Sequence, residues 1–143
     1  MSCERASNGR NRALTLCRVE AFFELVPNLN RLLHRARFLS RLALPPTHSN
    51  FPHPALIHAI CSSAAAWCSP EIYQRGAAFK DTDSGPSSMG GDRTYSEKSM
   101  SFGLKEAAYA KDAVQDGLNT GNRLFDVVRA MIILSRVFID DTR

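Results

Sequence analysis

The first part of the chain alternates apolar and polar positions in a way that predicts two helices. An apolar pattern begins at Leu14 and indicates a short helix that stops at Pro27. A second helix-prone segment follows over residues 29–44, and the Pro45-Pro46 pair ends it, because proline cannot continue a helix. The thirteen residues before Leu14 lack any period, so we expect residues 1–13 to form a disordered N-terminus.

The third predicted helix has the clearest pattern in the chain. Pro54 suits its first turn, where the missing N–H costs no hydrogen bond. The apolar residues that follow form one helical stripe: Leu56, Ile57, Ile60, Cys61, Ala64, Trp67 and Cys68. The opposite side carries only small residues: Ala59, Ser62, Ser63, Ala65 and Ala66. Small residues let another helix approach closely, so we expect this helix to be buried on more than one side, with Trp67 in the core.

A polar segment separates this helix from two more. Residues 79–101 are rich in Gly, Ser, Asp and Lys without a period, which predicts a flexible insertion. A modest helix then runs from Leu104 to Leu118 and is expected to break near Gly117 to Gly121. The pattern as a whole predicts an all-α protein of about four to five helices with a disordered polar loop.

The last predicted helix, about residues 122–140, is too apolar for a surface helix. Its apolar side chains cover an arc of about 180°, whereas a surface helix needs only about 100°. Asn122, Asp126, Arg129, Arg136 and Asp140 line the remaining stripe, interrupted by Ile133. We therefore expect this helix to contact either the remainder of a larger helical domain or another protein chain.

Composition and charge narrow the class of protein. The 143 residues allow one domain at most, and no apolar run reaches the ~18 residues of a membrane helix, so we expect no membrane partner. The net charge is +4, and residues 1–50 hold eight arginines against three glutamates. Because Arg31, Arg35, Arg37 and Arg41 alternate with apolar residues, a solvated helix surface explains them. A weaker alternative is a basic nucleic-acid binder that uses residues 31–41.

The cysteines and histidines do not form a metal-binding pattern. The chain has four cysteines, Cys3, Cys17, Cys61 and Cys68, and they form no C-x-x-C pair. We therefore expect the cysteines to act as small, buried apolar residues in a reducing compartment. His53 and His58 are five residues apart and point about 140° away from each other on a helix. We expect the histidines to be buried or to cap helices.

The sequence contains no motif of an enzyme. There is no G-x-S-x-G elbow, no H-E-x-x-H and no G-x-x-x-x-G-K-[ST] phosphate loop. Gly90-Gly91 lies in the polar segment without a preceding strand and does not predict a phosphate site. We expect no catalytic residue, no cofactor and no metal in this chain.

Several segments resemble a known family. They read V-P-N-L-N-R-L-L-H at 26–34, F-P-H-P-A-L-I-H-A-I-C at 51–61 and L-F-D-V-V-R-A at 124–130, with Phe38-Leu39, Leu44-Pro45-Pro46, Phe102, Ala110-Lys111 and Gly121 between them. In these segments the chain resembles the N-terminal part of the fungal-specific transcription factor domain, the middle homology region of fungal zinc-cluster regulators. The residues that carry this signature are His34, Phe38, Phe51, Pro52, His53, Pro54, Leu56, His58, Ala59 and Ile60.

The resemblance implies a function and a cellular location. It implies an all-α regulatory domain of a nuclear transcription factor that contacts DNA only through a six-cysteine, two-zinc cluster, which this chain lacks. Residues 14–143 are then a truncated form of that domain, and the signature residues have a structural role. The alternative, which needs no resemblance, is a free-standing helical adaptor or dimerisation protein without DNA binding.

Overall fold

The computed structural model describes residues 3–28, 31–65, 67 and 93–140. In this part of the chain there are five α-helices and no strand, which confirms the predicted all-α class. The helices are α1 (Cys3–Leu25), α2 (Arg35–Leu42), α3 (Pro54–Ala65), α4 (Arg93–Thr120) and α5 (Leu124–Asp140).

Helix α3 lies at the centre of the fold. It contacts α1, α4 and α5, and eight of its twelve residues are buried. Its large apolar residues Leu56 and Ile60 are fully buried, and the small residues Ala59, Ser62 and Ser63 on the opposite side are buried as well. The prediction that this helix is buried on more than one side is therefore confirmed.

Small residues allow α3 and α4 to approach closely. The hydroxyl of Ser62 donates a hydrogen bond to the carbonyl oxygen of Gly103 at 2.9 Å. A Cβ atom added at Gly103 would lie 3.2 Å from the Cβ of Ala65, which is tight for such a contact. Ala107 and Ala110 continue the buried side of α4. Because these side chains are short, the two helices bury backbone as well as side-chain surface.

Aromatic residues of α1 and α2 form the other half of the core. The rings of Phe22 and Phe23 meet edge to face with centroids 5.3 Å apart, and Phe23 lies 6.1 Å from Phe38 of α2. Helix α1 ends at Leu25, just before Pro27, as the pattern predicts. Asn28 then adopts a left-handed conformation (φ 66°), which asparagine tolerates better than most residues.

The beginning of the chain differs from the prediction of disorder over residues 1–13. Helix α1 already begins at Cys3, so residues 3–13 are helical. One physical reason is a tertiary anchor that local pattern does not reveal. The guanidinium of Arg12 donates to the carbonyl oxygens of Ala43 at 2.6 Å and Leu42 at 3.3 Å, at the C-terminal end of α2, where carbonyl groups lack helical partners.

The beginnings of two more helices also differ from the predictions. Helix α2 is shorter than the predicted segment 29–44, because His34 is extended and its ring nitrogen accepts a hydrogen bond from the Arg37 N–H. Helix α4 begins at Arg93, so residues 93–101 are helical, and residues 79–92 of the expected insertion lie outside the described residues. Its C-terminal end at Thr120 lies within the predicted break near Gly117 to Gly121, and Gly121 follows with a φ of 67°, which suits a glycine directly after a helix.

Candidate functional site

The signature residues lie on α2, on the loop before α3 and on α3 itself. The buried ones are Phe38, Pro52, His53, Leu56, Ala59 and Ile60. Phe51 and His58 are half-buried, whereas His34 and Pro54 are exposed. Most of the signature thus lies in the interior rather than on a surface that a ligand could reach.

Two of the four histidines cap helices, in line with the prediction. His34 caps α2, whereas His48 differs from the prediction: it is exposed in a turn, where its ring accepts from the Asn50 N–H at 3.0 Å, and it caps no helix. The Nδ1 atom of His53 accepts from the Ala55 N–H at 3.2 Å, in the first turn of α3. In neutral His53 the ring proton is therefore on Nε2.

Asp126 is the centre of a buried polar cluster that sequence reasoning missed. Both of its carboxylate oxygens accept from the Arg41 guanidinium, at 3.1 and 2.5 Å, and one also accepts from the His53 N–H at 3.1 Å. Arg129 lies 3.6 Å from the carboxylate on the next turn of α5. We call Asp126, Arg41, His53 and Arg129 the Asp126 site. It joins α2, the loop before α3, and α5.

The electrostatics of the Asp126 site keep the carboxylate ionised. Burial raises the pKa of Asp126, but the hydrogen bonds from Arg41 and the His53 N–H, together with the charges of Arg41 and Arg129, outweigh it. The net result is a lowered pKa. An ionised carboxylate that accepts three hydrogen bonds is stabilised, so this cluster holds the three elements together.

The His53 ring is held in its neutral form. Burial has the largest effect and lowers the pKa of His53, and the charge of Arg123 lowers it further. The charges of Asp126 and Asp116 oppose this shift without reversing it. The ring lies against Gly117 of α4: a Cβ atom there would come within 3.0 Å of His53 Cε1 and 2.6 Å of Val127 Cγ2. Only glycine leaves room for both neighbours.

Arg123 also holds the loop before α3 in place, through two of its backbone carbonyl groups. Its guanidinium donates to the carbonyl oxygen of Phe51 at 2.6 Å and to that of His48 at 3.3 Å. Its own backbone has a φ of 49°, in the left-handed region, directly before α5 begins. The loop that carries the F-P-H-P string is therefore bound both by Asp126 and by Arg123.

A second polar contact lies between α3 and α4, nearer the surface. The Nδ1 atom of His58 is 2.8 Å from a carboxylate oxygen of Glu106, and its ring is 5.6 Å from the ring of Tyr109. This pair links two helices that already pack tightly. Like His48, His58 is thus neither a helix cap nor a fully buried histidine.

The side of α5 opposite the core is apolar and exposed. Phe125 is 85% exposed, and Leu124, Val128, Met131 and Ile132 are 41–50% exposed. We call these five residues the outer face of α5. On the inner side, Val127, Ala130 and Ile133 are fully buried. The sequence prediction that this helix has more apolar surface than the rest of the chain covers is confirmed for the described residues.

The orientation of α5 nevertheless differs from what its polar stripe indicates. Asp126 and Ile133 of that stripe face the core, while apolar Phe125 and Val128 face outward. One signal could have shown this: Asp126 is four and seven residues before Ala130 and Ile133, so all three share one side of the helix. An acidic residue on a buried side requires a cationic partner, and the sequence offers several arginines.

Two further residues differ from the predictions. Trp67, expected in the core, is 48% exposed, because α3 ends at Ala65 and no longer directs it inward. Cys61 is buried as expected, but Cys17 is exposed. Cys3 and Cys68 lie outside the residues whose side chains the structure describes.

The arginines of residues 31–41 are partly engaged within the molecule. Arg41 binds Asp126 and donates to the Asn50 carbonyl oxygen at 2.9 Å, and Arg35 lies 3.6 Å from Glu24. Arg31 and Arg37 are exposed. A DNA-binding surface in this segment would therefore have at most part of the charge that the sequence contains.

The described residues hold no group of three or more His, Cys, Asp or Glu side chains arranged for a metal ion. Among the same residues, no helix combines the length and the apolar character that crossing a bilayer requires.

Comparison with known proteins leaves the family untested. No family model, no curated protein and no solved structure matches this chain. The resemblance to the fungal-specific transcription factor domain therefore stays a prediction from the residues that carry it.

Proposed function

We propose that this chain is a regulatory helical region of a fungal-type zinc-cluster transcription factor. Its role in transcription regulation is then to control the activity of the factor in the nucleus. DNA contact belongs to a zinc cluster outside these residues, and the chain itself binds protein rather than a cofactor. The role we propose is not enzymatic.

One observation carries this proposal. Two of the segments that carry the family resemblance, 51–61 and 124–130, are in direct contact, because the His53 N–H donates a hydrogen bond to Asp126. These two residues are 73 positions apart in the sequence. If the resemblance were a chance match of short strings, nothing would require these strings to meet. The contact between them supports a common origin for the whole pattern, with the signature residues serving to hold the domain together.

The chemistry of the Asp126 site supports a structural role for the signature. Both carboxylate oxygens of Asp126 are occupied by Arg41 and by the His53 N–H, and the His53 Nδ1 is occupied by the first turn of α3. Among the described residues, no buried side-chain nitrogen or oxygen lacks a hydrogen-bond partner. Groups that are satisfied in this way stabilise a fold.

A reporter assay tests the proposed function. The complete chain is placed between an unrelated DNA-binding domain and an activation domain, and the reporter output is compared with that of a flexible spacer of equal length. We expect the chain to change the output severalfold, and Leu56→Asp, which disrupts the core, to abolish the effect. Equal output from chain and spacer would contradict a regulatory role.

The outer face of α5 favours a second candidate, a free-standing helical adaptor or dimer. Exposed apolar patches of this kind mark sites of protein–protein contact. Light scattering of the purified chain separates the two functions. A stable dimer that Phe125→Ser together with Ile132→Ser converts to a monomer supports the adaptor, and a monomer contradicts self-association as its role.

A further inference from the structure

We propose that the outer face of α5 binds an amphipathic helix of another protein whose apolar stripe is flanked by acidic residues. Phe125, Val128, Ile132 and Ser135 follow the alternating spacing of three and four residues that lines the seam between two packed helices. Leu124 and Met131 widen this stripe on one side. The spacing fits a helix laid along α5 better than an extended strand or a small molecule.

The size of the outer face fits one helix. Its five side chains expose an apolar area on the order of 500 Å², which reaches the size of the largest patch on a typical monomer, roughly 300–600 Å². A standard protein–protein complex buries about 800 Å² on each partner. The seventeen residues of α5 span about 25 Å, the length of four to five helical turns of a partner.

The charges beside the outer face specify the chemistry of the partner. Arg129 and Arg136 follow Phe125 and Ile132 by four residues each, so both lie along one edge of the stripe. At the other edge, the Lys111 ammonium lies 4.3 Å from the centre of the Phe138 ring. Within the described part of the chain, Arg136 forms no ion pair. Positive charge on both edges favours a helix with glutamate or aspartate at its flanking positions.

A second copy of this chain fits the face less well. An antiparallel pair of α5 helices would set the two arginine edges against each other. A parallel pair would set Arg129 and Arg136 against Met131 and Phe138, which carry no negative charge. Neither arrangement neutralises the basic edges, whereas an acidic helix does.

Peptide binding to the complete chain tests this inference, which rests on the proposed role in protein binding. The probe is a fluorescent synthetic helix of three heptads with leucine at the seam positions and glutamate at the flanking positions. A matched peptide carries lysine in place of each glutamate. By fluorescence anisotropy, we expect the glutamate peptide to bind about tenfold more tightly than the lysine peptide at low salt, and the difference to shrink as salt is added.

Variants on the surface of α5 identify the site without disturbing the core. Phe125→Ser with Ile132→Ser should weaken the glutamate peptide about tenfold, whereas Leu16→Ser and Leu104→Ser, at exposed apolar positions on α1 and α4, should not. Arg136→Glu should shift the preference toward the lysine peptide, whereas Arg37→Glu on α2 should not. Circular dichroism of each variant checks that the helices are intact.

Three results would overturn the inference. Equal binding of the two peptides would exclude selection by charge, and binding that survives the double serine variant would place the site elsewhere. A dimer that buries the outer face would show that a second copy is the occupant. The outcome of the reporter assay does not depend on these results. The inference about the partner can therefore be wrong while the proposed regulatory function is right, and the reverse.

Discussion

At the scale of single residues, the fold depends on one buried carboxylate. Asp126 lies in the first turn of α5 and is 3% exposed, yet it stays ionised because Arg41 and the His53 N–H satisfy its oxygens. Burying a charge without partners costs several kcal/mol, and partners recover that cost only with good geometry. The Asp126 site therefore specifies how α5 sits against α2 and the loop before α3.

Asp126→Asn should destabilise the protein markedly. The amide keeps the shape of the side chain, but it removes the negative charge opposite Arg41 and puts a donor beside the His53 N–H. We expect the free energy of unfolding to fall by about 3 kcal/mol. Urea denaturation of the variant measures this loss. Asp112→Asn, at an exposed position on α4, is the control and should stay within about 0.5 kcal/mol of the parent.

The buried His53 ring should make stability depend on pH. Its pKa in the folded protein is lowered below the ordinary value of 6.5, so the unfolded chain binds more protons between these two values. The free energy of unfolding should therefore decrease as the pH falls from about 7.5 to below 6.5. The structural reason is that protonation of the ring removes the Nδ1 acceptor of the Ala55 N–H. Asp126, whose pKa is lowered from 3.8, should add a further loss only in stronger acid.

His53→Gln isolates this contribution. Its amide oxygen can accept a hydrogen bond but does not titrate, and the other three histidines stay in place. We expect urea denaturation at several pH values to show that the free energy of unfolding decreases less steeply for the variant than for the parent between pH 7.5 and 5.5. Identical pH dependence in the two proteins would contradict a neutral, buried His53.

At the scale of helices, close approach between α4 and α5 depends on Gly117. In an exposed helix, Gly→Ala stabilises by about 1 kcal/mol, but here the added methyl group would lie 2.6 Å from Val127 Cγ2. We expect overpacking to outweigh the helical gain, so Gly117→Ala should destabilise by about 1–3 kcal/mol. Thermal unfolding with van't Hoff analysis measures the change.

The double variant Gly117→Ala/Val127→Ala tests the cause of that loss. If the methyl group clashes with Val127, shortening Val127 relieves the strain, and the two changes together cost less than the sum of the single costs. Additive losses would mean that Gly117 matters for another reason, such as its contact with the His53 ring.

The helices were predictable to different degrees, for physical reasons. The stripe of α3 predicts its buried sides because Leu56 and Ile60 alternate with small residues in a helical period. The start of α1 was not predictable, because Arg12 anchors it to carbonyl groups about thirty residues away in the chain. The orientation of α5 was not predictable from the apolar arc alone either, since this arc is wider than the side that packs inward.

The candidate site was less predictable than the helices. The F-P-H-P string indicates where His53 and Leu56 lie, but its partner Asp126 is 73 residues later and Arg41 is 85 residues from Asp126. Local periodicity carries no information about contacts at such distances. Only the position of Asp126 on the same side as Ala130 and Ile133 hints that it needs a partner inside the fold.

At the scale of the whole molecule, the described helices combine a packed interior with an exposed apolar side on α5. Helix α3 is covered by three helices, and the Asp126 site fixes α5 on top of it, while the outer face of α5 carries apolar residues flanked by basic ones. We assign the interior to stability and the outer face of α5 to binding. Both assignments depend on which side of α5 packs inward.

A pair of adjacent isoleucines in α5 tests that orientation most directly. Ile133 is fully buried, whereas Ile132 is 41% exposed. Alanine has a higher helix propensity than isoleucine, so neither substitution weakens the helix itself. By urea denaturation, we expect Ile133→Ala to lower the free energy of unfolding by about 2–5 kcal/mol and Ile132→Ala by about 1 kcal/mol or less. Equal losses, or a larger loss for Ile132→Ala, would contradict the account.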